Sequence, residues 1–557
     1  MIEKVYSMLD EKNKNVILKI VGLAVAVFIL VYIGTIIIGG GGEKSLDEIV
    51  KEIKVTKEPP IKGLVDISGI DLAATLPDIS KYPLQVTGST SSYIEIFSST
   101  EKAGMGTDGW LTEVAQDFND AKIMIDGKQA SVRLRGIASG QGADYISSGK
   151  YLPDAYTPSN ELWGEMIISR GVDARLVQKR LAGNVAGILI TKSKKEELEA
   201  KYGAVNISTV IDAVANNELQ MGYTNPFASS TGLNFLISTL QTIDASNPLS
   251  NKAIAGFNRF QANVPVVAYT TLQIRESAKS GVLDAFILEY QTYVNTPDIR
   301  SYEFIPFGVR HDSPIYAIGK LSAEKMKILD EFIKFSQQEE YQNLATKYGF
   351  NKLDEYQPQL KPTRGDVLIQ AQKLWKEKKN VNICAVFVAD ISGSMDGEPL
   401  NNLKKSLLEG QKYIGKNNLI GLVSYSDDVH INLPISRFDL NNRSYFVGAV
   451  EGLQAGGGTA TFDGIAIAIK MLEEQLALDP NLKPRIFVLS DGETNRGHSL
   501  NDIRKLVEKS GIPIYTIGYN ANISALGEIS RINEAASINA DTEDVVYKLA
   551  NLFNAEL

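Results

Sequence analysis

Five oxygen-bearing side chains in the last third of the sequence follow apolar or glycine-rich runs. The set holds two carboxylates and three hydroxyls and contains no His or Cys. Such donors favour a hard cation, Mg²⁺ first and Ca²⁺ or Mn²⁺ as alternatives, over zinc or copper. The five residues are Asp390, Ser392, Ser394, Thr459 and Asp491.

The elements around these residues are expected to bring them to one edge of a sheet. The unbroken apolar run 383–389 predicts a central parallel strand that is buried on both faces, and 486–490 predicts a second such strand. Open α/β sheets hold their ligands outside the carboxyl ends of their strands, where both runs stop. A glycine loop at 456–458 delivers Thr459 just before a predicted helix. The alternative is that Asp390 caps the following helix and the serines line a turn.

Together, these fragments resemble the metal-ion-dependent adhesion site of von Willebrand factor A domains, over about residues 382–557. The resemblance implies that Ser392, Ser394 and Thr459 contact Mg²⁺ directly, while Asp390 and Asp491 support them. It also implies that an Asp or Glu of a protein partner completes the coordination. Strands and helices alternate through this region, so we expect a doubly wound, Rossmann-like α/β domain at residues 381–557.

Length and composition limit the remaining possibilities. A chain of 557 residues should form two or three domains. The formal net charge of -9 argues against nucleic acid as a partner. The single cysteine, Cys384, excludes an internal disulfide and is expected to be a core residue.

An uncharged apolar stretch near the start predicts a membrane anchor. Residues 20–42 carry no charge and are long enough to cross a bilayer as one helix. We expect a cytoplasmic segment at 1–19, the transmembrane anchor at 20–42 and a stalk at 43–81. Lysines are almost equally frequent on both sides of the span, so charge alone leaves the orientation open.

Residues 82–350 alternate between strands and helices, with hydroxyl-rich turns before several helices. Free N–H groups and hydroxyls at such turns can bind anions, although each turn alone could be an ordinary helix cap. This region resembles two-lobed extracellular solute-binding proteins of the periplasmic type. The resemblance implies one lobe from 82–180 plus the return after 298, and a second lobe from 181–296. The expected cleft residues are Ser89, Thr90, Ser91, Ser139, Gly140, Ser159, Thr224, Asn225 and Ser229.

Three occupants of that cleft stay open from the sequence. Hydroxyls and amides suit a small anion or metabolite, and a degenerate cleft would bind nothing. Aromatic side chains could instead stack on a sugar or a nucleobase, namely those of Trp110, Tyr145, Tyr156, Trp163 and Tyr223. A linker and helix at 351–380 would join the two modules.

The predicted function is that of a single-pass membrane protein with its C-terminal domains outside the cell. It would capture a protein partner through the metal site and would also carry a solute-binding cleft. The alternative is a solute sensor or transport accessory protein, in which closure of the cleft signals to a membrane partner. No nucleophile–base arrangement or phosphate-binding loop is evident, so we do not expect an enzyme.

Overall fold

The computed structural model describes residues 44–88, 91–264, 266–268, 274, 283–358, 362–379, 382–492, 494–519, 527–528, 530, 537–540 and 544–557. The predicted cytoplasmic segment 1–19 and the predicted anchor 20–42 lie outside these residues. Among the described residues, no helix is both long and apolar enough to cross a bilayer. The first elements are α1 (Leu46–Glu52), β1 (Val55–Lys57) and α2 (Leu72–Thr75).

The central region folds as a two-lobed domain. The elements of its first half are β2 (Leu84–Val86), β3 (Ser92–Ser98), α3 (Trp110–Asp120), β4 (Met124–Ile125), β5 (Lys128–Gly136), α4 (Ser139–Ser148), β6 (Ala155–Thr157), α5 (Glu161–Ser169) and β7 (Ala174–Gln178). Those of its second half are β8 (Val185–Thr191), α6 (Lys192–Tyr202), α7 (Ile207–Ala215), β9 (Met221–Thr224), α8 (Ser230–Ile243), α9 (Asn251–Ala262), β10 (Val266–Ala268), β11 (Ala285–Glu289), α10 (Tyr290–Val294), β12 (Tyr302–Arg310), β13 (Ile315–Ile318), α11 (Ala323–Ser336) and α12 (Glu339–Lys347).

Each lobe is built on its own sheet. The strand order is β2-β5-β3-β6-β13-β7 in the first lobe, with β4 paired to β5, and β10-β9-β11-β8-β12 in the second. The chain therefore returns to the first lobe between β12 and β13, not after residue 298 as predicted. The reason is that β12 pairs antiparallel with β8, from Tyr302 opposite Thr191 to Arg310 opposite Val185.

The C-terminal domain has one sheet with helices on both faces. Its elements, with the helix that precedes them, are α13 (Gly365–Lys379), β14 (Ile383–Asp390), α14 (Glu398–Gly410), β15 (Leu419–Tyr425), β16 (Val429–Arg437), α15 (Leu440–Glu451), α16 (Thr461–Leu478), β17 (Lys483–Ser490), α17 (Leu500–Ser510), β18 (Ile514–Tyr519), β19 (Ser537–Ala540) and α18 (Val545–Glu556). The strand order is β1-β16-β15-β14-β17-β18-β19. The predicted α/β class is confirmed for both domains.

The apolar run of β14 is buried on both faces, as the sequence predicts. Phe387 and its alternate neighbours pack towards α14, α15 and α18, whereas Val386 and Val388 pack towards α16 and α17. Cys384 belongs to the second face, and burial raises the pKa of its thiol to about 12. It is a core residue, since a thiol with so high a pKa is not a reactive thiolate at neutral pH.

The segment expected to be a stalk is instead packed on the C-terminal domain over residues 44–66, which we call the N-terminal strap. Its strand β1 pairs in parallel with 429–431 and forms the edge of the C-terminal sheet. Leu46, Ile49 and Ile53 are buried in the core face under α16. The two-lobed domain is thus inserted between two pieces of the C-terminal fold.

Helix α13 joins the two domains. On one side, Trp375 Nε1 donates to Tyr223 Oη at 2.6 Å and Gln372 Nε2 donates to Pro226 O at 2.8 Å. On the other side, Lys376 Nζ donates to Asn554 Oδ1 at 2.8 Å, and Lys379 pairs with Glu556. The helix therefore contacts both the second lobe and the C-terminal helix α18.

Candidate functional site

The candidate metal centre begins at two neighbouring strand ends. β14 and β17 are parallel, with Ala389 opposite Leu489, so Asp390 and Ser490 leave the sheet side by side. The Asp390 side chain is fully buried. Its Oδ1 accepts from Ser392 N at 2.8 Å, and its Oδ2 accepts from Ser490 Oγ at 2.6 Å and Tyr425 Oη at 3.2 Å. These bonds fix the carboxylate in one orientation.

Three of the predicted donors form a hydrogen-bonded chain that runs towards the surface. The Oγ atoms of Ser392 and Ser394 are 3.0 Å apart, and Ser394 Oγ donates to Asp491 Oδ1 at 2.9 Å. Ser392 is buried, Ser394 is exposed and Asp491 is half-buried. The cluster therefore opens to solvent on the side of Ser394.

The glycine loop places Thr459 against the same edge of the sheet. Gly393 N donates to Gly457 O at 3.0 Å, and Gly456 N donates to Ile391 O at 2.8 Å. Thr459 is buried, and its backbone N–H donates to Asn495 Oδ1 at 3.0 Å. The structure thus brings the loops of all five predicted residues together at the carboxyl ends of β14 and β17.

The electrostatics of this cluster suit a cation. Burial raises the pKa of Asp390, hydrogen bonds from Ser490 and Ser392 lower it, and the nearby charge of Asp491 raises it again. A divalent cation would offset both the burial of the charge and the repulsion between the two carboxylates. The residues present therefore fit a hard cation bound mainly through hydroxyl and carboxylate oxygens.

The candidate centre differs from metal sites that are rich in ionisable ligands. Across the part of the chain that the structure describes, no group of three or more His, Cys, Asp or Glu side chains is arranged to hold a metal ion. Here only Asp390 and Asp491 are of those types, and the other donors are hydroxyls.

Sequence reasoning missed the residues that hold the donors in place. Ser490 and Tyr425 orient Asp390, and Asn495 holds the backbone of Thr459. Ser490 ends the same apolar run that precedes Asp491, which was a usable signal. Tyr425 gave none, because only the pairing of β15 beside β14 places it there.

The predicted cleft residues of the two-lobed domain fall into three groups. In the first lobe, Ser139 Oγ lies 3.3 Å from Ser159 Oγ and accepts from Ser159 N at 3.2 Å. At Gly140 the lobes touch, since a Cβ there would lie 2.8 Å from Phe227 O in the second lobe. Trp163 Nε1 also donates across to Ser230 Oγ at 3.0 Å. The two lobes are therefore in direct contact.

In the second lobe, the predicted turn is buried and bonded internally. Thr224 Oγ1 donates to Ser229 Oγ at 2.9 Å, and Ser229 Oγ accepts from Gly232 N at 3.2 Å, which caps α8. Asn225 Oδ1 accepts from Phe227 N at 2.9 Å. Among the described residues, however, no hydrogen-bond partner reaches Asn225 Nδ2 or the buried Thr157 Oγ1 of the first lobe. Each lobe therefore contributes one buried polar side-chain atom that the described residues leave without a hydrogen bond.

The third group is placed away from the other two. Ser89 and Thr90 lie outside the described residues. Ser91 is exposed at the amino end of β3, whereas Ser139 follows the carboxyl end of the parallel strand β5. The seven residues of β3, roughly 20 Å of strand, separate the two ends. Ser91 therefore does not join the cleft, because the hydroxyl-rich turn precedes β3 and does not follow it.

The turn that does follow β3 was missed. Lys102 is fully buried, and its Nζ donates to Thr157 O at 3.0 Å and to Ser99 Oγ. Burial lowers the pKa of Lys102, and Glu101 and Glu289 act in the opposite direction. The sequence signal is the position of Ser99 and Lys102 directly after the alternating apolar residues of β3.

A buried histidine also reaches this region. His311 Nδ1 lies 2.7 Å from Glu289 Oε1, and its Nε2 lies 3.0 Å from Asn160 Nδ2 of the first lobe. The polar groups between the lobes therefore include a lysine, a histidine and two glutamates. The aromatic residues considered for stacking are all buried: Trp110, Tyr145, Tyr156, Trp163 and Tyr223.

Comparison with known proteins assigns both regions. Residues 385–555 match the family model of the von Willebrand factor type A domain, and residues 102–351 match that of bacterial extracellular solute-binding proteins. An uncharacterized protein of Synechocystis sp. is 26% identical over 141 residues, which are 25% of this chain and 32% of that protein. The chain thus spans about a third of the length of this relative.

Two solved structures illustrate the likeness. A von Willebrand factor type A protein from Catenulispora acidiphila is 18% identical with a TM-score of 0.29, over 31% of this chain and 42% of that chain. The sulfate-binding protein SubI from Mycobacterium tuberculosis is 12% identical with a TM-score of 0.34, over 51% of this chain and 91% of that chain. The two family matches therefore identify a solute-binding-like domain at residues 102–351 and a von Willebrand factor A-like domain at residues 385–555, both α/β and joined in one chain.

Proposed function

We propose that this chain is an extracellular binding protein whose A-like domain captures a protein partner through a divalent cation. The cation, most readily Mg²⁺, would be held by Asp390, Ser392, Ser394, Thr459 and Asp491. When bound, it would supply a positive charge that attracts an Asp or Glu carboxylate of the partner.

One observation carries this proposal, namely the chain of hydrogen bonds from Ser392 through Ser394 to Asp491 beside the buried Asp390. Oxygen atoms from two strand ends are already within 3.0 Å of one another along this chain. Ser394 is exposed, so the cluster is accessible to a second molecule. The buried Asp390 orients the first loop, and Asn495 orients the loop of Thr459.

The direct test is thermal unfolding of the protein with and without Mg²⁺. At a Mg²⁺ concentration of about 100 times Kd, binding should stabilise the wild type by about 2.7 kcal/mol. Ser394→Ala and Asp491→Asn should lose most of this gain. Asp396→Asn, an exposed carboxylate on the same loop, should keep it.

Capture of a partner requires a second experiment. Crosslinking on living cells should yield a partner adduct that a Mg²⁺ chelator and Asp491→Asn both abolish. An adduct that is indifferent to both treatments would refute the metal-dependent mode of capture. Protease treatment of intact cells would test the extracellular placement and the anchor at 20–42 that we propose with it. We propose no catalytic role.

A second candidate function is that of a solute sensor or transport accessory protein. It is favoured by two buried side-chain atoms, Asn225 Nδ2 and Thr157 Oγ1, to which no described residue offers a hydrogen bond. A small anion or metabolite bound there would stabilise the contact between the lobes. A thermal-shift screen should find a ligand whose effect Asn225→Ala removes, and a blank screen would favour a cleft without a solute.

A further inference from the structure

The N-terminal strap is connected to the candidate metal centre by two separate routes. One route passes through Lys54 and the turn at 426–429, and the other passes through Glu52 and His498. Both end at the loops that hold Thr459. The strap lies outside the region that matches the A-domain family, which begins at residue 385.

The first route starts at Lys54. Its backbone O accepts from Val429 N at 3.1 Å, and its Nζ forms an ion pair with Asp428. The neighbouring Asp427 accepts from Gly458 N at 3.0 Å, through Oδ1. In the same turn, Ser426 O accepts from Ala460 N at 2.9 Å. The turn therefore holds the residues on both sides of Thr459.

The second route starts at Glu52. Its Oε2 lies 3.2 Å from Nε2 of His498, and Nδ1 of that ring lies 2.7 Å from Asp463 Oδ1. Both ring nitrogens face carboxylate oxygens, so the ring makes both hydrogen bonds only when it carries two protons. The backbone N–H of His498 also donates to Asp463 Oδ1, at 2.9 Å.

This histidine ends the loop that leads from Asp491 towards α17. Within the loop, the N–H groups of Asn495 and Arg496 donate to Thr459 O at 3.0 and 3.2 Å. Asp463 lies in the first turn of α16, which follows Thr459. The contact of Glu52 with His498 therefore fixes the loop after Asp491 relative to the glycine loop that carries Thr459.

We propose that the strap positions the metal centre, with Glu52 and Lys54 acting as positioning residues that hold the two loops bonded to Thr459. The proposal rests on the proposed function for the role of the metal, but the strap's effect on the loops can be measured without metal. Under this proposal, cation binding at the centre depends on how the strap packs against the C-terminal domain. Tension or a partner that lifts the strap would then weaken the site.

The strap supplies matched controls. Asp47 pairs with Lys470 at 2.8 Å, and Lys470 lies in the middle of α16, away from the two loops. Lys57 is an exposed residue of the same strand that follows Lys54. Substituting either control removes a strap charge of the same sign as Glu52 or Lys54 and leaves both routes intact.

The experiment compares Glu52→Ala and Lys54→Ala with Asp47→Ala and Lys57→Ala in the full-length protein. Without Mg²⁺, hydrogen exchange at the amides of 458–460 should rise about two- to fivefold in Lys54→Ala, and exchange at 495–498 should rise similarly in Glu52→Ala. The Mg²⁺ dissociation constant should rise by a similar factor in both variants and should stay unchanged in the two controls.

Equal exchange in all four variants and the wild type would overturn the proposal, as would an equal increase in the controls. If the wild type binds no Mg²⁺, the proposed function fails, and the exchange data still decide whether the strap holds the loops.

Discussion

The ion pair between Lys379 and Glu556 offers a quantitative test of how the two domains are joined. The pair is 2.7 Å long, and its side chains are 10% and 5% exposed. Burial lowers the pKa of Lys379. Burial alone would raise the pKa of Glu556, but Lys379 and Arg485 lower it overall. The charges depend on each other because neither is well solvated.

Removing one partner leaves a buried charge, which typically costs about 3 to 5 kcal/mol. Glu556→Gln leaves Lys379 with only weaker acceptors such as Ala555 O, at 2.8 Å, so we expect a loss of about 3 kcal/mol. Lys379→Met leaves Glu556 beside Arg485 at 3.7 Å, so we expect a smaller loss of about 2 kcal/mol. The double variant, Glu556→Gln with Lys379→Met, should lose less unfolding free energy than the two single variants lose in total.

Urea unfolding followed by tryptophan fluorescence measures these differences, since Trp375 lies in the same helix as Lys379. The control is Lys192→Met, which removes one side of an exposed pair of 4.0 Å and should cost about 0 to 0.5 kcal/mol. If Glu556→Gln changes the unfolding free energy no more than this control, the pair is not a buried joint and the reasoning is refuted.

Three further predictions concern other parts of the chain. Burial lowers the pKa of Lys376 from 10.5 to about 8. The unfolded chain therefore binds this proton more tightly than the folded chain does, and the folded state gains stability as the pH rises. Between pH 8 and pH 10.5, the unfolding free energy of the wild type should increase by about 3 kcal/mol relative to that of Lys376→Met. If the unfolding free energies of the wild type and Lys376→Met differ by the same amount at every pH in this range, the prediction is contradicted. Gly140→Ala should destabilise the two-lobed domain by about 1 to 3 kcal/mol, because its Cβ would meet a carbonyl of the other lobe, and Gly69→Ala, in open space, should be neutral in the same thermal scan. Ile49→Ala should cost about 2 to 5 kcal/mol in urea unfolding, because that side chain is fully buried. A loss as small as that of the control Ile61→Ala, whose side chain is exposed, would show that the strap is not part of the core.

The sequence predicted that the loops of the five candidate residues meet at one edge of the sheet, because the signals for this are local. The apolar run of β14 is unbroken. A short unbroken apolar run is typical of a parallel strand that is buried on both faces. Asp390 and Asp491 then had to emerge at the same edge. The orienting bonds from Tyr425 and Asn495 could not be predicted, because they depend on strand order and loop conformation.

The cleft and the strap show why other predictions failed. A hydroxyl-rich turn looks alike before a strand and before a helix, so the turn at Ser91 was expected to open a helix, whereas it leads into β3. The strap gave no periodic signal, because β1 has only three residues and its partner strand is far away in the sequence. Its charged residues suggested a solvated spacer, whereas Glu52 and Lys54 are paired with the C-terminal domain.

The edge strand β1 also sets an order of assembly during synthesis. Lys54 and its partner Asp428 are 374 residues apart in the sequence. At 5 to 20 residues per second, the ribosome needs roughly 20 to 75 s to supply that partner. Throughout this interval the strand that pairs with β1 has not been made, whereas the two-lobed domain that precedes it in the chain is completed. The first piece of the A-like fold can therefore be seated only after the whole two-lobed domain has been synthesised.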